Sequence, residues 1–582
     1  MEQPTAQYST KLKKDAATLN QNNVPARTKK FVIWSTIIGL AFALVGAPAA
    51  QATPSNGYLD VSYNSNGSGG FLAGFNQRPR AMALQPNGKL IVVGMFTSYN
   101  GTTANGIARL NVDGSLDTTF VTGTGFTNVA VNANVIEDVL VATDGSIYVG
   151  GGMISYNGQP VSGLVKLSTL GALDTTFEAN LPDINGMVFA IEEQSDGEIV
   201  FSGTFDTIGG TARGAIAKVN SAGQLNSTFN TNVGAGFDNA DNLVTTAVLA
   251  MAIQANGDIV LGGNFDKLNG STIASGIARL APNGSDLTNT ITSTFNSTAG
   301  SGFNDKVKRL IRDSTGKLIL VGGFSTYQGV TGSAPRIIRL NSDGSRDNGF
   351  VVGTGVTIQP QDIALADGDK VFVASLSRTY NGTSVPSGTF KLNNDGTLDT
   401  SFTAGITSSD FADTILQTSN GDVYIAGGFT TYSGISIGRI AHLTNAPVIT
   451  PSTQNISSAV GQNISTSSMT TTGLSGSVTY SVSPSLPSGL SLNTATGVIS
   501  GSSNSPLSAT AYTVTASNGS ASATASVTIT IAAQGSGGSG TSELANTGAK
   551  SHLPIALIGL MFLLTGISVY SGSIAVKRRS TN

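Results

Sequence analysis

The chain of 582 residues contains no cysteine, which excludes a disulfide framework, a thiolate metal site and a cysteine nucleophile. Of its two histidines, His442 and His552, one alone falls in the part expected to fold, which excludes there a site built on two or three histidine ligands. Tryptophan occurs once, at Trp34. Charged residues are only 11% of the chain and are unevenly spread. Residues 1–52 hold six Lys/Arg and two acids, and residues 549–582 hold four Lys/Arg and no acid. The body between them has 21 basic and 32 acidic residues, a net charge of −11. So acidic a body argues against a phosphate backbone as partner, and no nucleic acid is expected. Glycine is abundant instead: 72 residues, about 12% against a usual ~7%.

Both ends read as addresses. Lys11, Lys13, Lys14, Arg27, Lys29 and Lys30 precede an apolar run from Phe31 to Val45, and small residues follow. That order is the order of a secretory signal peptide over 1–52, with Ala50 and Ala52 in the small pockets of a signal peptidase and cleavage before Thr53. The alternative is an uncleaved anchor, but the run falls short of the ~20 residues a span needs. The C-terminal end, 544–582, reads Leu544-Ala545-Asn546-Thr547-Gly548, then an apolar stretch over 553–576, then Lys577-Arg578-Arg579. The stretch is long enough to span a bilayer as a helix, and the basic end would stay in the cytoplasm. This triple resembles the sorting signal of Gram-positive cell-wall proteins, LPxTG, with alanine in place of proline at Ala545; LAxTG resembles a variant used by a sortase class in high-GC Gram-positive bacteria. The resemblance implies sortase and peptidoglycan as partners, cleavage after Thr547, and covalent attachment to the wall outside the cell. Taken without it, the segment is a plain membrane anchor.

The body is a repeat. The phrase LDxxF recurs as Leu116–Phe120, Leu173–Phe177, Leu225–Phe229, Ile291–Phe295, Arg346–Phe350 and Leu398–Phe402, with an orphan copy at Leu59–Tyr63. The aromatic positions are spaced 57, 57, 52, 66, 55 and 52 residues apart, a period that means a solenoid, propeller or array. Within a unit, strands meet at Asn87-Gly88 and Asp113-Gly114, and such dipeptides between β-branched runs are strong hairpin signals. Four antiparallel strands per unit make one propeller blade. Seven units fit residues 58–445, the last closed by the orphan strand, which removes an open sheet edge. The phrases DGSLDTTF, NGKLIVVGMF and GGF resemble the bacterial delta-60 repeat of large secreted proteins, which implies a propeller and brings no settled activity.

Residues 446–533 change character: no Asp, Glu, Lys or Arg occurs from Ile440 to Ser542. The phrase Leu486–Gly501 followed by Tyr512-Thr-Val-Thr resembles an immunoglobulin-like domain common on bacterial surfaces, and about 85 residues suit a small β-sandwich. Residues 534–543 form a Gly/Ser linker. The expected fold is all-β: a seven-bladed propeller, then an immunoglobulin-like sandwich, flanked by helices of the signal and the membrane-spanning segment.

No catalytic constellation emerges. His442 sits on a blade strand and reads as structural, and the Asp of LDxxF reads as a turn or strand-end hydrogen bond. The pairs Asp113/Asp117, Asp343/Asp347 and Asp395/Asp399 are too few oxygens for calcium. Gly123-Thr-Gly125-Phe126 and its two counterparts lack the following helix of a phosphate loop. No metal or cofactor is expected. Five units carry a tyrosine turn, at Tyr99, Tyr156, Tyr327, Tyr380 and Tyr432. A residue repeated so often usually serves the repeat. The same face carries the long variable links, so these tyrosines are also the candidate contacts for a glycan or protein ligand. The expectation is therefore a non-enzymatic, wall-anchored surface protein engaged in adhesion or ligand binding; the alternatives are a wall-tethered enzyme acting on polysaccharide and a structural envelope spacer.

Overall fold

A computed structural model describes residues 57–60, 63–65 and 71–533, except 128–135, 241–244, 288–294, 296–299, 386–388, 403–404, 407–410, 445–446, 475–476 and 519–521. The expected signal peptide, linker and sorting signal lie outside these residues. Among the described residues no helix is long and apolar enough to cross a membrane.

The Gly-containing turns fold the repeat as their spacing predicts. In the first unit Pro79–Leu84 pairs antiparallel with Leu90–Gly94, which pairs with Ile107–Leu110. Gly88 closes the first hairpin at φ +79°, a conformation glycine adopts without penalty. Seven such sheets follow one another among the described residues. Their first strands are Pro79–Leu84, Ile136–Val141, Val188–Glu193, Ala247–Ile253, Val307–Arg312, Pro360–Ala366 and Ala412–Gln417. Each lies against the next, and the seventh lies against the first. The middle strands, such as LIVVG, IYVGG and LILVG, are buried at every position. Both faces of each sheet are covered, which is why these strands read as unbroken apolar runs and not as alternation.

The fourth strand is not what the repeat predicts. LDxxF contributes one isolated bridge to the third strand, as at Leu110↔Leu116, Leu167↔Leu173 and Leu392↔Leu398. The chain then turns, because the Asp accepts hydrogen bonds from backbone N–H groups further on. Asp117 takes Thr119 at 3.0 Å, and Asp174 takes Thr176 and Phe177 at 3.1 Å each, capping the short helix Thr175–Asn180. A side chain that satisfies those donors competes with the ladder and ends it. Among the described residues only the seventh sheet has a true fourth strand, Tyr58–Leu59, which pairs with Ile440–Thr444 in the register Tyr58↔Thr444 and Leu59↔Leu443.

The same Asp has a second task. The penultimate position of each third-strand phrase is a basic residue: Arg109, Lys166, Lys218, Arg279, Arg339, Lys391 and, in the seventh unit, His442. Arg109 meets Asp117 at 2.7 Å, Arg339 meets Asp347 at 2.7 Å, Lys391 meets Asp399 at 3.5 Å, and His442 meets Asp60 at 3.0 Å. The aromatic residue covers the cation: Arg109 lies 4.7 Å from the Phe120 ring and Arg339 4.8 Å from the Phe350 ring. In the third unit Asn226 replaces the Asp, and Lys218 turns to Asp196 and Glu198 at 2.7 and 2.8 Å. In the fourth, where the spacing stretches to 66 residues, the bridge moves to Leu280↔Asp286, while Phe295 still lies 5.1 Å from Arg279.

Beyond the repeat, Thr453–Ala459, Ser522–Ala532, Leu507–Ser517 and Thr479–Ser483 form one four-stranded sheet. Ile464–Ser465, Ile499–Gly501 and Leu490–Leu492 form a three-stranded sheet. Ser522–Ala532 alternates exposed and buried residues almost throughout, the pattern of a strand with one face in a core. That core holds Tyr480, Ile499, Tyr512, Val514, Val527 and Ile529.

Candidate functional site

The five turn tyrosines are 0–2% exposed, so they have no surface to offer a ligand. Each turn is a two-residue hairpin with both central residues at positive φ, as at Asn100 (+49°) and Gly101 (+78°). The ring points inward. Tyr99 donates its hydroxyl to Gly114 O at 2.6 Å, Tyr156 to Gly171 O at 2.6 Å, Tyr327 to Gly344 O at 2.5 Å and Tyr380 to Gly396 O at 2.5 Å. Tyr432 has no such turn in its own unit and donates to Gly57 O at 2.7 Å. Burial pushes all five phenols above their ordinary range. Each tyrosine therefore ties one turn of a unit to the other, and the ligand-contact role expected for them gives way to packing.

The Gly-x-Gly-Phe links clasp the next unit. Asn157 Oδ1 accepts from Thr124 N at 3.2 Å, and a Cβ on Gly123 would sit 2.0 Å from that oxygen. The Asp-Gly-x-x-Asp carboxylates are occupied by protein groups. Asp113 accepts from Ser115 N at 2.9 Å, and Asp117 binds Lys89 and Arg109 at 2.7 Å each. Ala50, Ala52 and Leu544, Ala545, Asn546, Thr547 and Gly548 lie outside the described residues.

A site that the sequence did not reveal lies where the seven first strands converge. Every first strand carries a bulge at its second residue, or its third in Ala247–Ile253, between Pro79/Ala81, Ile136/Asp138, Val188/Ala190, Val248/Ala250, Val307/Arg309, Pro360/Asp362 and Ala412/Thr414. A bulge re-aims a side chain. The seven extra residues are Arg80, Glu137, Phe189, Leu249, Lys308, Gln361 and Asp413, and all seven line one cavity of ≈ 220 Å³, joined by Lys306, Arg309 and Gln359. Six of the second strands place glycine opposite the start of the bulge. At Gly203 a Cβ would lie 1.8 Å from Met187 O, and at Gly322 it would lie 2.2 Å from Lys306 O. The GMF and GGF phrases of the repeat thus carry the signal for the bulge, a close backbone approach.

The cavity wall is polar on one arc and apolar on the other. Arg80 binds Glu137 at 2.8 Å and Asp413 at 3.4 Å, and Arg78 reaches the same Asp413 carboxylate at 2.5 Å. Lys308 donates to the side-chain oxygen of Gln361. Burial, then the charges of Arg309 and Arg80, push the Lys308 amine down to about 8. Asp138, next to Glu137, is raised to about 6 by burial, although Arg309 and the N–H groups of Ile191 and Val139 pull against that. Burial and the neighbouring Asp138 raise Glu192 to about 8. Phe189 and Leu249, from adjacent units, form the apolar arc.

Six segments, residues 85–120, 142–177, 194–229, 254–285, 314–350 and 367–402, match a family model described as "Domain of unknown function (DUF5122) beta-propeller". Residues 444–532 match a second, described as "Putative Ig domain". No curated protein matches the chain. Among solved structures, a structural genomics protein of unknown function from Bacteroides thetaiotaomicron matches at 12% identity over 68% of this chain and 76% of that one, with a TM-score of 0.27. Mouse cadherin-23 EC22-24 matches at 12% identity over 32% of this chain and 61% of that one, with a TM-score of 0.14. The chain is thus all-β, built of propeller-type repeats and an immunoglobulin-like domain.

Proposed function

We propose that the chain is a surface-displayed, non-enzymatic binding protein of the adhesion type. Its repeats form a closed seven-bladed propeller, and the ligand enters the axial cavity. One observation carries the reading: seven bulges, one per unit, aim seven dissimilar side chains into a single space. A repeat that needed those positions only for packing has no cause to vary them from Arg to Phe to Asp. The charged arc favours binding over catalysis, because Glu137 and Asp413 are committed to arginines, whereas a glycoside hydrolase needs one carboxyl free to donate a proton. Wall attachment through Thr547 completes the reading and rests on the LAxTG pattern alone. The test is a glycan and matrix-protein array probed with the full chain beside Phe189→Ala. A ligand retained by the wild type and lost by the variant supports the reading; release of products from a polysaccharide, or a ligand indifferent to the variant, contradicts it.

A further inference from the structure

We infer that the axial cavity takes a small organic acid of the sugar-acid class, its carboxylate at Lys308 and its ring face against Phe189 and Leu249. This rests on the cavity being the binding site. In a body of net charge −11, the cavity wall holds four cations, Arg80, Lys306, Lys308 and Arg309, against two carboxylates, Glu137 and Asp413. Those carboxylates are already taken: Arg80 holds both, and Arg78 holds Asp413 a second time. Arg309 has Asp362 at 3.5 Å. Lys308 faces the neutral amide of Gln361.

A half-buried ammonium beside two guanidinium groups is costly unless an anion joins it. Burial and those two guanidinium charges lower the amine pKa, although Asp413 and Glu137 pull against them from a distance. An arriving carboxylate would supply what those two give only from a distance, a counter-charge in direct contact and a charge-assisted hydrogen bond. Phosphate would supply charge as well, but it would leave the Phe189–Leu249 arc uncovered. A sugar acid covers it with the C–H face of the ring, and the Gln359 and Gln361 amides suit its hydroxyls. At ≈ 220 Å³ the cavity is smaller than the ~300–1,000 Å³ of pockets for drug-sized ligands, so the occupant is one residue, free or at a chain end.

The test is calorimetric titration of the full chain, purified in detergent, with glucuronate, glucose and inorganic phosphate, alongside Lys308→Gln and Phe189→Ala. Glucuronate is expected to bind at least tenfold more tightly than glucose or phosphate, and each variant is expected to weaken it at least tenfold. Phosphate binding as tightly as glucuronate overturns the organic body. Glucose equal to glucuronate, indifferent to Lys308→Gln but lost in Phe189→Ala, overturns the acid and keeps the cavity as the site. No heat from any of the three overturns the inference, and an array ligand indifferent to both variants overturns the site itself.

Discussion

The buried cation of each third strand shows how one residue can hold a repeat together. Arg109 and Asp117 are both nearly inaccessible to solvent, and Asp117 also binds Lys89 and caps Thr119. Burial opposes the Asp117 charge, but Lys89, Thr119 and Arg109 outweigh it and hold the carboxyl below its ordinary range. Breaking one side of such a pair leaves the other charge buried and uncompensated, so Asp117→Ala should cost about 3–5 kcal/mol in chemical denaturation. Asp347 and Asp399 are held at about 2 in the same way, against burial, by Lys317 and Arg339 and by Ser401, Lys370 and Lys391. A depressed carboxyl contributes stability above its unfolded value near 4 and loses it as pH falls through its folded value. The repeat should therefore hold its melting temperature down to about pH 4 and lose it steeply towards pH 2, which a calorimetric pH series would show. Tyr63 breaks the pattern of the other units, where phenylalanine stands. Its hydroxyl is buried with no partner among the described residues, so Tyr63→Phe should leave stability unchanged or raise it by about 1 kcal/mol. The Asp was legible in the sequence as a hydrogen-bonding residue. Its cation was not, because Arg, Lys and His alternate there and no spacing rule joins the third strand to LDxxF.

At the scale of the element, the turns were legible because Asn-Gly and Asp-Gly dictate local geometry. The fourth strand was misread because LDxxF looks like a strand until its Asp is seen to satisfy the backbone that a strand would pair. The bulges were hidden because one extra residue disturbs no periodicity; only the glycine opposite marks them. The strand Tyr58–Leu59 joins the two ends of the repeat, and its latch differs from the other six in being a histidine. His442 lies 3.0 Å from Asp60 and 3.5 Å from Asp422, stacked on Tyr424 at 4.5 Å and beside Tyr63 at 5.2 Å. Burial disfavours its charge, but Asp422 and Asp60 prevail and raise its pKa above the ordinary 6.5. A raised folded pKa contributes stability that is complete below the unfolded value near 6.5 and is lost as pH rises through the folded one. The closing strand should thus loosen on the alkaline side. Melting temperatures at pH 5.5 and pH 9 should differ more in wild type than in His442→Arg, which supplies the permanent cation of the other units; equal differences would refute the latch.

For the whole molecule, the repeat and the immunoglobulin-like domain after it were readable because each has its own grammar: a period near 55, then a stretch without charge. The axial cavity was not readable, since it exists only when seven distant segments meet. Anchoring and display are separable by experiment. Thr547→Ala should abolish wall linkage and leave the protein in the membrane fraction, whereas a wild-type surface protein with an intact Thr547-Gly548 bond would make the tail a simple membrane anchor. The cavity, the ligand site proposed for it and the latch all depend on the ring being closed between residues some 380 positions apart, as Asp60 and His442 are. The absence of cysteine allows a direct test of that closure. Tyr58 and Thr444 are register partners, and partners in an antiparallel pair stand about 4.5–5.5 Å apart, within disulfide reach. Under mild oxidation Tyr58→Cys/Thr444→Cys should form an intramolecular disulfide quantitatively and raise the melting temperature. Free thiols, or disulfides only between chains, would mean that the first strand does not close the ring.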